Sequence, residues 1–194
     1  MAILVLTVGY YNQKPKSNIY PSISTIVSMT AYPTPPVASL TRKKKSTVSS
    51  KGGIYAFINA IGKYESHGNP QAISPTGFLG KYQFSPRTLR LVAPEVNRDS
   101  FLVNEATQDS VMISYMKQNS NLLRDVIAHF RNKWVNGVFI TESGVLAGAH
   151  LVGTGGVKSF FYPTKYSYPT QDANGASVAM YMAKFSNYNI HKGN

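Results

Sequence analysis

Apolar residues recur at helical spacing through residues 51–194, in short stripes that loops rich in Gly, Pro and Asn separate from one another. Stripes with this period form amphipathic helices, which must bury their apolar faces against one another because short helices are not stable alone. We therefore predict a mainly α domain over residues 51–194. The first stripe comprises Ile54, Phe57, Ile58 and Ile61, and Gly68 follows it as a stop signal.

Capping residues predict where the later helices begin. Ser85-Pro86 combines an N-cap with a proline at the first helical position. Asp99 is a candidate cap for one long helix that continues through Met116, and Thr141 precedes a helix that runs through Leu151. We expect the last helix over residues 177–185.

Residues 1–50 differ in composition and form a separate segment. They contain five of the 11 prolines, six basic residues and no acidic residue. The β-branched residues 2–8 favour a strand, and the prolines favour extended chain. We predict an extended, partly β N-terminal arm and linker, which needs a protein partner because an extended arm cannot bury itself. A cleaved signal peptide is the alternative, but the basic n-region of such a peptide is missing.

The charge of the chain points to a polyanionic partner. Lys and Arg number 20 against eight acidic residues, and residues 51–194 alone carry 14 basic and eight acidic residues. Nucleic acid, anionic lipid and a cell-wall polymer all fit this surplus. The absence of cysteine excludes disulfides, thiolate metal sites and thiol nucleophiles. No apolar run approaches the roughly 18 residues that a membrane-spanning helix requires.

Glu65 is the candidate for acid catalysis. It lies four residues after Ile61, so it occupies the same helix face one turn further on, close to the end of the helix. Partial burial and the negative end of the helix dipole both favour the protonated form of a carboxyl group there. A general acid must still carry its proton near neutral pH, so this position suits one.

Four motifs follow in order from this glutamate. They are Glu65-Ser66 with Gly68-Asn69-Pro70, Ala72 and Ser74-Pro75-Thr76-Gly77; Gly80-Lys81-Tyr82-Gln83; Ala149-His150-Leu151-Val152-Gly153-Thr154-Gly155-Gly156-Val157; and Tyr181-Met182-Ala183-Lys184-Phe185. Together they resemble the lysozyme-like superfamily, specifically the soluble lytic transglycosylases and goose-type lysozymes. That family has Glu-Ser, Gly-Leu-Met-Gln, Ala-Tyr-Asn-Ala-Gly-Pro-Gly-x-Val and Tyr-Val-x-Lys-Val at these places. The resemblance covers about residues 52–187 and implies a lysozyme-like helical domain.

The resemblance implies cleavage of the β-1,4 bond between N-acetylmuramic acid and N-acetylglucosamine in peptidoglycan. Glu65 would protonate the glycosidic oxygen. Gln83 and the backbone near Gly80 would hold N-acetyl and hydroxyl groups, Tyr82 would stack on a sugar, and Ser66 would position the acid or a substrate carbonyl. Tyr181 would hydrogen-bond near the acid. The structural alternatives are a helix-end cap for Ser66, core aromatic residues for Tyr82 and Tyr181, and a surface polar residue for Gln83.

The third motif departs from the family pattern. The family's Asn, which helps to bind the N-acetyl carbonyl of the substrate, corresponds to Leu151 here, and His150 stands beside it. His150 is therefore a candidate for polar contact with the substrate, and a packed histidine at a helix end is the alternative. This departure questions the step that the substrate's own N-acetyl group assists more than it questions the role of Glu65 as the acid.

The spacing of acidic residues favours a transglycosylase over a hydrolase. Two-carboxylate glycosidases require a second Asp or Glu within roughly 10 Å of the acid, but residues 66–94 contain none. Glu142 and Asp172 remain distant candidates. With one carboxyl group, the N-acetyl oxygen and the C6 hydroxyl of the sugar can complete the reaction and leave a 1,6-anhydromuramoyl end.

The sequence leaves two alternative functions open and also suggests where the protein is located. The rivals are a catalytically silent structural or glycan-binding module and a nucleic-acid binder, and the latter lacks any recognised motif. We expect no cofactor and no metal ion, because the four histidines lack His-x-x-x-His spacing and no phosphate loop is present. A wall-cutting enzyme with an extended arm suits the particle of a bacterial virus, where capsid or tail proteins would hold the arm. Export to the periplasm or the medium is the alternative.

Overall fold

A computed structural model describes residues 52–192, and the predicted N-terminal arm lies outside this range. The described part is mainly α, as the sequence predicts. It holds seven helices and one two-stranded hairpin. The helices are α1 (Ile54–Ser66), α2 (Pro86–Val92), α3 (Arg98–Val103), α4 (Glu105–Leu122), α5 (Arg124–Phe130), α6 (Glu142–Phe161) and α7 (Val178–Lys184), and the strands are β1 (Trp134–Val135) and β2 (Val138–Phe139).

Side-chain caps begin most of these helices. Ser85, Thr141 and Ser177 accept hydrogen bonds from backbone N–H groups at the starts of α2, α6 and α7, as their positions in the sequence indicate. The prediction for Asp99 is wrong. Two helices replace the single long one, since Asn97 caps α3 and Asn104 caps α4.

The core forms where α6 meets α7 and α4. From Ser143 to Ala149 every residue of α6 is buried. A Cβ atom at Gly144 would lie 2.6 Å from the backbone oxygen of Met182, so only glycine lets α7 approach this closely. α6 also contacts α4 and α5, which makes it the central helix of the domain.

Two features of the backbone were not predicted. Asn136 and Gly137, both at positive φ, turn the chain between β1 and β2, although Asn-Gly between apolar residues is a standard hairpin signal. Gly153 interrupts α6 because its backbone angles, φ 73° and ψ 171°, are not helical. The resulting kink lies three residues after His150.

Within residues 52–192, no helix is both long enough and apolar enough to span a membrane.

Candidate active site

Helix α1 places Glu65 at the edge of the core. Phe57, Ile58 and Ile61 bury one face of the helix completely, and Glu65 continues that face in the last turn. His67 then adopts the left-handed conformation with φ 57° and ends the helix. The Glu65 side chain is 18% exposed, so the carboxyl group is mostly buried but reaches the surface.

Tyr181 on α7 contacts this carboxyl group directly. Its hydroxyl donates a hydrogen bond of 2.7 Å to Oε1 of Glu65, as the late motif leads us to expect. Tyr181 is 3% exposed, and burial raises the pKa of its hydroxyl, with the Glu65 charge adding to the effect. The hydroxyl therefore stays protonated and acts as a donor at any working pH.

His150 lies on the other side of the same oxygen. Its Nε2 is 3.8 Å from Oε1 of Glu65, and its ring packs edge-on against Phe84 and Tyr115. Burial lowers the pKa of His150, although the Glu65 carboxylate and the Tyr82 backbone carbonyl act in the opposite direction. Nδ1 is buried without a hydrogen-bond partner. The side chain is 6% exposed and faces the acid, so the sugar contact that we predicted for His150 does not fit this position.

Gln83 and Gly80 lie in the loop that follows α1. Gln83 is half-buried, has a positive φ of 51°, and donates from Nε2 to the backbone oxygen of Gly80 at 2.9 Å. Its role on the substrate stays a prediction. Gly80 itself is buried, and its N–H donates to the Ala72 carbonyl at 2.7 Å. Both backbone groups of Gly80 itself are engaged within the loop, and the sugar contact predicted for the backbone near Gly80 stays a prediction.

Tyr82 is a core residue and cannot stack on a sugar. Its ring is 0% exposed, and its hydroxyl donates to Oδ1 of Asp109 on α4. The sequence motif does not predict this burial, because the conformation of the loop directs the Tyr82 side chain into the core. Ser66 donates from Oγ to the backbone oxygen of Lys81 at 2.8 Å and so fastens the end of α1 to the same loop. Its contact with substrate stays a prediction.

Lys81 is the centre of a buried polar cluster. Its Nζ donates to Asn59 on α1 and to Glu105 and Asp109 on α4, at 2.8, 2.8 and 3.1 Å. Burial alone would lower the pKa of Lys81, but the two carboxylates raise it above its ordinary value, so the lysine stays charged. Lys81 and Tyr82, the two departures in the second motif, therefore share one partner, Asp109. The cluster ties α1, the helix that carries Glu65, to α4.

The loop around Lys81 is held by a second buried side chain. Gln108 is 0% exposed; it accepts from the Lys81 backbone N–H at 2.7 Å and donates to the backbone oxygens of Pro70 and Phe101. Gly62 makes room for the lysine, since a Cβ there would lie 2.8 Å from its Cγ. The altered second motif is thus fully accommodated by its neighbours.

A comparison with protein families shows what this arrangement is similar to. Residues 44–139 match the family model described as the transglycosylase SLT domain. The match covers 96 of the 194 residues, so this part of the chain is similar to a transglycosylase SLT domain. That family lies within the lysozyme-like lytic transglycosylase superfamily. The match therefore supports an activity of the lytic transglycosylase type, which degrades peptidoglycan. No curated protein and no solved structure matches the chain.

The matched part of the chain includes Glu65 and the loop with Lys81 and Gln83, and it ends at Phe139. His150 and Tyr181 lie beyond the match, on α6 and α7. The structure nevertheless brings both side chains to Oε1 of Glu65. The site is therefore assembled from the matched segment and from the C-terminal helices that follow it.

The other acidic candidates, Glu142 and Asp172, form no hydrogen bond or ion pair with Tyr181 or His150 among the described residues, and each is engaged elsewhere. Glu142 binds His191 at 2.8 Å through Oε2, and Ser120 donates to its Oε1. Asp172 accepts the backbone N–H groups of Asn174 and Ala176 through Oδ1 and so closes its own loop. Its charge reaches the site only as the weakest of the effects that raise the pKa of Tyr181.

The remaining surface offers no metal site among residues 52–192, where no three His, Asp or Glu side chains converge. Two surface cavities lie away from Glu65. One runs between α2 and α4, and the other is lined by Arg124, Arg131 and Glu142 near α5. A linear polymer does not require either cavity, because it can bind along an open surface.

Sequence reasoning missed the partners of Lys81. Asn59, Glu105, Asp109 and Gln108 carry no motif of their own. A lysine at a place where the family has an apolar residue was the available signal, because a buried ammonium group requires acidic partners. Glu105 and Asp109 also lie four residues apart, on one face of a helix.

Proposed function

We propose that this protein is a peptidoglycan lytic transglycosylase that cleaves the β-1,4 bond between N-acetylmuramic acid and N-acetylglucosamine with Glu65 as its only catalytic carboxyl group. One observation carries the proposal. In a chain that matches the SLT family over residues 44–139, the mostly buried Glu65 has one oxygen held by Tyr181, while no residue between 52 and 192 binds the other. Oε2 is left to carry the proton toward a substrate.

The first step is proton donation. Glu65 gives its proton from Oε2 to the glycosidic oxygen, which leaves as the 4-hydroxyl of N-acetylglucosamine while the C1–O bond of the muramic acid breaks. The N-acetyl oxygen of the muramic acid stabilises the positive charge at C1. The Tyr181 hydroxyl stabilises the carboxylate that forms on Glu65, because a donor to an ionised oxygen makes a stronger hydrogen bond.

In the second step, Glu65 acts as a base. The carboxylate removes the proton of the C6 hydroxyl, and the C6 oxygen forms a bond to C1. The products are a 1,6-anhydromuramoyl end and a free 4-hydroxyl end, Glu65 recovers its proton, and no water is consumed. One carboxyl group serves both steps.

A neutral His150 supports the acid form of Glu65. A cation next to a carboxyl group stabilises the ionised form and so reduces the fraction of such groups that still carry a proton near neutral pH. Burial lowers the pKa of His150, so the ring is uncharged at neutral pH and makes no ion pair with the carboxyl group 3.8 Å away. The ring fills space beside the acid and excludes water from Oε1.

Two alternatives use the same fold. A hydrolytic lysozyme would need a second carboxylate or another group to activate water, and the engaged carboxyl groups of Asp172 and Glu142 argue against it. A silent structural or glycan-binding protein was suggested by the departures at Lys81, Tyr82 and Leu151. The partners of Lys81 and Tyr82 weaken this alternative, because they accommodate the altered second motif. The departure at Leu151 still motivates it.

The test compares wild type with Glu65→Gln on purified sacculi, in a zymogram and by mass spectrometry of products formed in ¹⁸O-labelled water. We expect wild type to give anhydro ends without ¹⁸O and Glu65→Gln to be inactive. Reducing ends that contain ¹⁸O would replace the transglycosylase with a hydrolase. Asp172→Asn is the matched carboxyl control and should retain activity. Absence of activity in both proteins would favour the silent protein, and equal measurable activity in both would exclude Glu65 as the catalytic acid.

We also propose that the enzyme is carried in the particle of a bacterial virus, where residues 1–50 bind a capsid or tail protein and the domain opens the wall locally. The proline content and purely basic charge of that segment support a tether rather than a second globular domain. Mass spectrometry of purified particles tests it. Absence from particles, together with recovery from the periplasm or the medium, would support export instead.

A further inference from the structure

The hairpin between α5 and α6 presents two aromatic rings to solvent. Trp134 pairs with Phe139 across the strands, and their ring centres are 5.6 Å apart. Trp134 is 72% exposed and Phe139 is 39% exposed, whereas Val138 on the opposite face is 7% exposed. The inner face thus contributes to the core, while the aromatic face does not.

The hairpin is held in place, so the rings have a defined position. Backbone hydrogen bonds join Asn132 to Ile140 and Ile140 to Lys133, and the Asn136 amide donates to the backbone oxygen of Phe160 at 3.4 Å. A cross-strand aromatic pair stabilises a hairpin by itself. The pairing leaves nearly three quarters of the Trp134 surface in water, and a ring that combines a large apolar face with a polar N–H is suited to contact a partner there.

The residues around the pair fit an N-acetylated, anionic glycan. Lys133 precedes Trp134 in the sequence and is exposed, as are Asn132 and Asn136, and the segment from Arg131 to Ile140 contains no acidic residue. Arg131 is also exposed and lies 3.7 Å from Glu142 in an ion pair. Aromatic rings pack on the C–H faces of pyranoses, amides bind acetamido and hydroxyl groups, and the cations complement the carboxylates of peptide stems. β2 also packs against α7, the helix that carries Tyr181.

We propose that the Trp134–Phe139 pair is a second glycan-binding site, separate from Glu65, that holds the strands of peptidoglycan while the active site cuts them. The inference rests on the proposed function for the identity of the polymer. It extends that function, because the site would raise affinity for the intact wall and leave the chemistry at Glu65 unchanged.

The full chain offers a direct probe, since Trp134 is its only tryptophan. In the Glu65→Gln background, which prevents cleavage, we expect soluble uncrosslinked glycan strands to shift the tryptophan emission to shorter wavelength. Trp134→Ala should weaken cosedimentation with sacculi by about tenfold, as loss of an aromatic contact worth about 1.4 kcal/mol implies. Leu91→Ala, at a residue 65% exposed on α2, is the matched control and should bind normally.

Activity assays separate this inference from the proposed function. With the active site intact, Trp134→Ala should cleave a short soluble glycan at the wild-type rate and intact sacculi more slowly. Equal binding and equal rates on sacculi for Trp134→Ala and wild type would overturn the second site alone. Absence of cleavage by wild type would instead count against the proposed function. An emission shift with anionic phospholipid vesicles but none with glycan strands would assign the pair to a membrane surface.

Discussion

The Tyr181 hydroxyl and the Glu65 carboxyl group, 116 positions apart in the sequence, meet in a hydrogen bond of 2.7 Å. In the mechanism that we propose, this bond stabilises the carboxylate after proton transfer. Tyr181→Phe should therefore lower the rate of wall cleavage by about 10- to 100-fold, as loss of a hydrogen bond to a charged group implies. Dye release from labelled sacculi measures the rate. Phenylalanine keeps the ring packing against Tyr64 and Phe185, so the thermal midpoint should change little. An unchanged rate would show that Tyr181 only fills space.

The sequence predicted these two residues for different reasons. Glu65 follows from the period of α1, since local spacing alone puts it on the buried face near the helix end. Tyr181 was found through a weak motif, and only the packing of α7 beside α1 explains its contact. Tyr82 was wrongly predicted to stack on a sugar because the side to which a loop residue turns depends on what packs against the loop.

The helix boundaries show the same limit. Thr141 and Ser177 were identified correctly because a cap acts within one turn of chain. Asp99 failed because several polar residues in a row compete as caps, and Asn97 and Asn104 were equally suited by type. The kink at Gly153 and the Lys81 cluster depend on distant partners, which single-sequence patterns do not contain.

Replacement of His150 should change how stability depends on pH. The pKa of the folded ring lies below its ordinary value of 6.5, so the unfolded chain takes up a proton first as the pH falls. The stability contribution of a neutral His150 is therefore full above about pH 6.5 and is lost as the pH drops through that value. His150→Gln, which cannot titrate, should lose less stability between pH 7.5 and pH 5.

Urea unfolding of both proteins at each pH measures this difference. His67, His129 and His191 are present in both proteins, so their contributions cancel when the two curves are subtracted. Glu65, 3.8 Å away, is present in both as well. Parallel stability curves would mean that burial does not hold the ring neutral. The rate of wall cleavage by His150→Gln should also fall less at acidic pH than that of wild type, which acquires a cation beside the acid.

Removal of the Lys81 charge should destabilise the domain strongly. Lys81→Met leaves Asp109 and Glu105 without their cation, and loss of one partner from a buried ion pair costs about 3–5 kcal/mol. Glu105 is half exposed, which moves the expected loss toward the lower figure. The free energy of unfolding in urea measures it. Arg98→Met, which breaks an exposed pair with Asp99, is the control and should change stability by less than about 0.5 kcal/mol.

A multiple variant tests whether Lys81 and Tyr82 form one unit with Asp109. Lys81→Leu, Tyr82→Met and Asp109→Leu together restore the apolar pair of the family motif and remove the carboxylate that both residues share. We expect the triple variant to be more stable than Lys81→Leu alone, because it leaves Glu105 as the only unpaired carboxylate, and that group reaches solvent. Additive losses from the three substitutions would mean that the residues act independently.

A comparison of alanine substitutions at Gly80 and Gly77 distinguishes the cost of backbone strain from the cost of side-chain overlap in the loop that carries Gln83. Both have positive φ, 72° and 85°, so alanine at either position costs about 1–2 kcal/mol from the left-handed conformation. A Cβ at Gly77 meets nothing within 4 Å, whereas one at Gly80 would overlap the buried Gln108 amide. Gly80→Ala should therefore be the more destabilising by a further 1–3 kcal/mol or so.

Gly80→Ala should also slow wall cleavage, because displacement of Gln108 releases the Lys81 backbone that anchors Ser66 next to the acid. Equal losses of stability and equal rates for the two variants would show that Gln108 yields without moving the helix that carries Glu65.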